Sequence, residues 1–428
     1  MHVETIKLPV RELILGMVVV KLDRPWSETP FMLEGFRIRT ADEIKLLGQY
    51  CKHVYVDLGR GLDGASSRGE RVMLDDLGEF VDPKRTMSAP VRSGTTDVVS
   101  ATALPPVAVK YALASNFTDE LPRTQVALAQ TKFGVKHLIE ALRNGQRFTL
   151  DAVKQAASTL EESMLRNPDP AMLLRTLNSD EPFSFNHCVH SAILAINLGR
   201  ALGFRRQQIH ELTIGTLLAD LGKMRLPKEL LRATRRLDRR ESEIMKLHVK
   251  FGVEMVEDLG GLTPGVLDIV AAHHERFDGS GYPKGLRGGE ISLLARIAGL
   301  ADTFDAVTSE RAYSTAIAPH EAVQELYAST IHVFQRELVE LLIQVLGAHP
   351  IGSLVELSDG AVALVAALNR ERRLLPWVMR LTAPDKTPLA RASLVNLAAD
   401  PRGAVTVKDV LDPGAYGVAL PGIEVLAA

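Results

Sequence analysis

The sequence predicts a mainly α protein: a helical bundle flanked by a small N-terminal α/β domain and a small C-terminal β-rich domain. Three observations predict it. From about Thr118 to Leu346 apolar residues recur at helical spacing in segment after segment. The two ends carry short alternating runs instead, such as "HVYVDL" and "PWVMRLT". Between the N-terminal region and the bundle, periodicity fades in a stretch rich in Gly, Ser, Thr and Pro.

Residues 1–59 read as a mixed α/β domain, with β-rich pieces "GMVVVKL" and "HVYVDL" around the helix "TADEIKLLGQYC". That helix starts at Thr40 and has an acidic first turn. Residues 60–117, including "GRGLDGASSRGERVM", read as a flexible linker. Residues 118–346 form the bundle. "TQVALAQTKFGVKHLIEALRNG" is amphipathic and ends at a glycine. "TLDAVKQAASTLEESMLRNPDP" opens on Thr149 as a cap and stops before Pro168. "SFNHCVHSAILAINLGRALGF" ends at Gly203. Residues 347–428, with "GSLVELSDGAVALVAAL" and "VTVKDVLDPGAYGVAL", predict a small sheet or barrel. No internal repeat suggests a solenoid.

The totals narrow the class. The 428 residues leave room for two or three domains and an ample core. A net charge of −2 carries no signature of a nucleic-acid polymer or an anionic membrane. Two cysteines, Cys51 and Cys188, are too few for a disulfide framework, which predicts a reducing compartment. The N-terminus lacks the basic-then-apolar order of a signal peptide, and no uncharged run is long enough to span a bilayer. The expectation is a soluble cytoplasmic protein.

Five groups in the bundle could carry chemistry: His187, the Asp220/Lys223 pair, His248, the doublet His273–His274, and Asp302 with Asp305. His187 and His248 each read, alone, as a satisfied histidine on an amphipathic helix. Asp302 interrupts an apolar helix, and Asp305 recurs one turn later on its face. The doublet ends an apolar helix and precedes the glycine-rich loop "RFDGSGYPKG". Helical bundles point such side chains inward to hold metals. Mixed imidazole and carboxylate ligands suit Fe, Mn or Zn. A lysine one turn past Asp220 could hold phosphate charge.

"HHERFDGSGYPKGLRGGEISLLARIAGLADTFDAVTSERAYSTA" resembles the signature of the HD-GYP family, a branch of the HD metal-dependent phosphohydrolases that cleave cyclic di-GMP. The similarity covers about residues 118–346 and implies a bundle of HD-phosphohydrolase type. "IKLPVRELILGMVV" and "IGSLVELSDGAV" also resemble segments flanking one bacterial subgroup, whose N-terminal domain has no assigned function. By resemblance, the divalent-metal ligands are His187, Asp220, His248, His273, His274 and Asp302. Asp220 and Lys223 are the catalytic pair. Arg311, Tyr282, Gly281 and Asp278 are substrate contacts.

The pattern breaks where the family reads His-Asp-x-Gly-Lys, because the chain has Ala219 before Asp220. The resemblance implies one intact metal site at Asp220, His248, His273 and His274. The second, at His187, Asp220 and Asp302, has lost a ligand and is weak or empty. His190, three residues after His187, could reach the gap but reads as a core or solvent-facing histidine. His210 falls on the opposite helix side. Phe183 stands where some members carry a glutamate, so no third metal is expected. Ser314 replaces a basic residue after Arg311, removing one positive contact. Three functions stay open: a cyclic di-GMP phosphodiesterase giving linear dinucleotide or GMP, a degenerate cyclic di-GMP receptor, and a scaffold for signalling-protein partners. A homodimer is compatible with each.

Overall fold

The computed structural model describes residues 4–24, 36–38, 41–57, 70–73, 104–144, 150–177, 183–309, 319, 321–323, 333–399 and 405–418. The chain divides into two compact units, Met1–Asp97 with Asn369–Leu374, and Val98–Leu368 with Leu375–Ala428.

The first unit holds an antiparallel sheet of β1 (Glu4–Pro9), β2 (Val18–Leu22), β3 (Phe36–Arg37), β4 (His53–Asp57) and β5 (Glu70–Met73), in the order β3-β2-β4-β1-β5. Alternation explains its buried face. Val54 and Val56 of β4 go inward beside Val19 and Ile6, and the helix α1 (Ala41–Tyr50) adds Leu47. Thr40, its expected cap, lies outside the described residues. One finding departs from the linker reading of 60–117. Glu70–Met73 is a strand, paired with β1 through Ile6 and Arg71. Its four residues are too few to register an alternating pattern.

The second unit is helical. Its elements are α2 (Phe117–Arg143), α3 (Asp151–Arg166), α4 (Asp169–Thr176), α5 (Phe183–Ala201), α6 (Arg206–Leu218), α7 (Arg239–Leu259), α8 (Pro264–Ala272), α9 (Leu293–Thr308) and α10 (Arg336–Leu346). Asn116 caps α2 by accepting from the Asp119 amide at 2.8 Å. Asp238 caps α7 in a reciprocal box with Glu241. Thr149 lies outside the described residues. Helix α5 ends where expected, with Gly203 at φ +70°. It is buried all round, through Val189, Ile193, Ile196 and Leu198, so it forms the axis of the bundle. α6 and α9 pack directly on it.

After α6 the chain tightens into a 3-10 turn, Leu221–Arg225, which lies against α7. That crossing depends on Gly222. A methyl there would collide with the carbonyl oxygen of His248 and the amide of Gly252, both backbone atoms that cannot rotate away. We expect Gly222→Ala to separate the turn from α7 and cost about 3 kcal/mol, measured by urea denaturation. A change under about 1 kcal/mol would show the crossing to be loose.

The C-terminal region forms β6 (Leu354–Leu357), β7 (Val362–Ala367), β8 (Trp377–Thr382), β9 (Pro388–Asn396) and β10 (Val407–Leu411), in the order β10-β6-β7-β8-β9. Among the described residues it is an open antiparallel sheet with two edges. The central β7 is buried along its whole length. The sheet belongs to the same compact unit as the helices: the Leu368 amide donates to Asp169 of α4 at 3.2 Å. Both cysteines are free and buried. Among the described residues no helix is long and apolar enough to cross a membrane.

Candidate metal centre

The candidate residues come from five elements and meet beside α5. His187 rises from α5, Asp220 from the corner after α6, and His248 from α7. His273 and His274 end α8, and Asp302 comes from α9. They fall into two overlapping groups whose ligand atoms lie within 4.8 Å of one another: Asp220, His248, His273 and His274, and His187, Asp220 and Asp302. Asp220 belongs to both.

The first group is built to be completed by a cation. His248 Nδ1 lies 2.6 Å from the Met245 carbonyl oxygen, and His273 Nδ1 lies 3.1 Å from that of Val270. A carbonyl only accepts, so each Nδ1 carries the proton and each Nε2 presents a lone pair. Those Nε2 atoms sit 3.5 and 3.9 Å from Asp220 Oδ1. All three atoms are buried without a hydrogen-bond partner. Burial also pushes the His248 pKa down to about 4, against the pull of Asp220, and lowers those of His273 and His274. Three converging acceptors repel one another unless a positive ion lies between them. The donor set therefore fits a divalent metal.

Asp220 is already partly neutralised. Burial, the largest single influence, would raise its pKa, but the Lys223 ammonium, 2.6 Å from Oδ2, together with His248 and His187 holds it well below the usual carboxylate range. Lys223 stands where the sequence places a phosphate-holding cation, and its charge is shared with the carboxylate.

The second group is closed upon itself. His187 Nε2 lies 2.8 Å from Asp302 Oδ1, and Nδ1 lies 2.7 Å from Asp305 Oδ2. Burial disfavours the imidazolium, yet the two carboxylates prevail and push the His187 pKa up to about 10. Ala219 leaves a cavity of about 10 Å³ beside this pair, lined also by Cys188, Ser191, Thr216 and Ala298. That is room for about one water molecule. His190 does not line the cavity. It stands 3.7 Å from Asp305 Oδ1, and burial pushes its pKa down to about 4. His210 pairs with Glu161 at 3.0 Å.

Three residues support the centre: Asp305, which the sequence pairs with Asp302 without a ligand role, and Glu275 and Arg276, to which it gives no role. Asp305, fully buried, accepts from Arg175 Nη1 of α4 at 2.9 Å as well as holding His187. Glu275, buried, accepts from the amides of Lys284 at 2.7 Å and Leu286 at 2.9 Å, which shapes the loop after the doublet. Arg276 ties the His273 carbonyl at 3.1 Å to Thr303 of α9 at 3.2 Å. The one sequence cue for Asp305 was its place one turn past Asp302. We expect Asp305→Asn to leave the buried Arg175 charge uncompensated and destabilise the fold by about 3 kcal/mol, read from urea midpoints. A change under about 1 kcal/mol would mean that solvent replaces the pair.

The expected substrate contacts divide. Tyr282 stacks on His274 with ring centroids 4.7 Å apart. Burial and the charges of Asp220 and Asp302 push its phenol above the usual range, so the ring borders the metal groups. Gly281 lies against the backbone of residues 274–276, with no room for a Cβ, and so lets the loop fold back onto the doublet. Asp278 is exposed and accepts from the Ser280 amide at 2.9 Å, which stabilises the turn. Arg311 and Ser314 lie outside the described residues, as does the side chain of Phe183.

Residues 171–338 match the family described as HD domain, and residues 5–153 match a domain of unknown function, DUF3391. Cyclic di-GMP phosphodiesterase PA4108 of Pseudomonas aeruginosa is 28% identical over 90% of this chain and 87% of its own length. Cyclic di-GMP phosphodiesterase response regulator RpfG of Xanthomonas campestris is 30% identical over 45% of this chain and 54% of its own. The 3'3'-cGAMP-specific phosphodiesterase 2 of Vibrio cholerae is 33% identical over 37% and 30%, respectively. The chain thus spans most of the first relative and about half or less of the other two.

Proposed function

We propose, for a chain that belongs to the HD-GYP branch of the HD-domain proteins and carries an N-terminal DUF3391 region, a metal-dependent phosphodiesterase of cyclic di-GMP signalling with one intact metal site. The observation that carries this reading is the convergence of three buried, partnerless acceptors, Asp220 Oδ1, His248 Nε2 and His273 Nε2. With His274 they would hold Fe, Mn or Zn. The bound ion would supply Lewis-acid charge and a water of lowered pKa.

The chain's own residues have definable tasks. Lys223, beside Asp220, offers an ammonium to a phosphate oxygen entering the site. The backbone carbonyls of Met245 and Val270 hold His248 and His273 in the tautomer that leaves Nε2 free. Tyr282 covers His274 and excludes water from its outer face. Asp305 and Arg175 fix the orientation of His187. Ala219 lowers activity by removing a ligand from the second group. Arg311, by resemblance, would add a phosphate contact.

The test is incubation of the purified protein with cyclic di-GMP and Mn²⁺ or anaerobic Fe²⁺, with products resolved by chromatography. Chelator-sensitive formation of linear dinucleotide or GMP is the expected result. A second reading is favoured by the closed His187–Asp302 pair. If the protein binds cyclic di-GMP without cleaving it, it is a receptor.

A further inference from the structure

We propose that Lys246 is a specificity residue for cyclic dinucleotides, holding the phosphate that is not being cleaved. This rests on the phosphodiesterase reading and goes beyond it. Cyclic di-GMP carries two phosphates, and one at the metal groups leaves the other outside them. A site that prefers the dinucleotide over a mononucleotide needs a second cation at its mouth.

The structure sets one there. Tyr282 stacks on His274 at 4.7 Å, and His274 lies 4.1 Å from His273. Lys246 Nζ stands 5.5 Å from the centroid of the Tyr282 ring, extending the column outward. Among the described residues, two other cations stand near the metal groups: Lys223, 2.6 Å from Asp220, serves the phosphate at the metal groups, and Arg276 is spent on the His273 carbonyl and Thr303. Lys246 has a weaker commitment, an exposed pair with Glu243 one turn earlier at 2.7 Å. Lys246 is 40% exposed and can exchange that carboxylate for a phosphate. It also lies on α7, two residues before His248, so its backbone moves with the metal group.

The experiment is calorimetric titration of the full chain, loaded with Mn²⁺, with cyclic di-GMP and separately with GMP. We expect Lys246→Gln to weaken cyclic di-GMP binding about tenfold and to flatten its salt dependence. GMP binding and bound metal stay unchanged, and Lys246→Arg retains wild-type affinity. Glu243→Gln, which releases the ammonium, tightens the dinucleotide. Wild-type affinity in Lys246→Gln, or an equal loss toward GMP, overturns the assignment. Failure of the wild type to bind any cyclic dinucleotide would instead overturn the phosphodiesterase reading, and this assignment with it.

Discussion

Ala219→His raises cyclic di-GMP turnover at least about tenfold and adds a second divalent ion per chain. Tenfold corresponds to about 1.4 kcal/mol of barrier, a modest share of what a second metal supplies to phosphoryl transfer. The geometry favours the change. Ala219 caps α6 with φ −52° and ψ −41°, a backbone conformation that histidine adopts freely. Its methyl faces the cavity shared with His187, Asp220 and Asp302. At about 10 Å³ the cavity is smaller than an imidazole, so without metal the variant is overpacked by about 1–3 kcal/mol. Metal binding then draws His187 from Asp302 and offsets that cost. The variant should therefore have a lower melting temperature than wild type with chelator and a larger metal-induced rise. Unchanged turnover and unchanged metal content in a folded Ala219→His protein would show that the second group fails for another reason.

Asp220→Asn abolishes both turnover and metal binding. Asp220 is the residue common to both ligand groups, and its Oδ1 is the acceptor nearest the lone pairs of His248 and His273. Removing its charge should weaken divalent-metal affinity at least about 100-fold, or roughly 2.7 kcal/mol. The fold should survive. An asparagine amide can donate to a histidine Nε2 that now lacks a partner, while Lys223 lies near the surface and can turn to water. The measurement is a thermal shift with and without Mn²⁺. The wild type should be stabilised by the ion in proportion to ln(1 + [Mn²⁺]/Kd), and the variant should not. A metal-induced shift of wild-type size in Asp220→Asn would mean that the ion sits elsewhere.

Much of this was legible in the sequence, for physical reasons that differ by element. The bundle helices show their stops and apolar periodicity locally, and the structure has helices at Phe117–Arg143, Asp151–Arg166 and Phe183–Ala201. The strands at Val18–Leu22, His53–Asp57 and Trp377–Thr382 lie within the alternating runs. β5 did not show, because four residues gain their identity from pairing with β1. At the centre, resemblance named His187, Asp220, His248, His273, His274 and Asp302, but it could not reveal the residues that support His187 and shape the loop after the doublet. Arg175 reaches Asp305 across 130 residues of chain, and Glu275 acts by receiving two backbone amides. Neither role leaves a spacing in the sequence.

The most direct test of the central claim is metal content. The protein, purified from cells grown with iron and manganese and freed of loosely bound ions, should carry one divalent ion per chain by elemental analysis. That ion should be lost in His248→Ala and retained in His187→Ala. Two ions per wild-type chain, or a single ion that depends on His187 and not on His248, would contradict an intact group at Asp220, His248, His273 and His274.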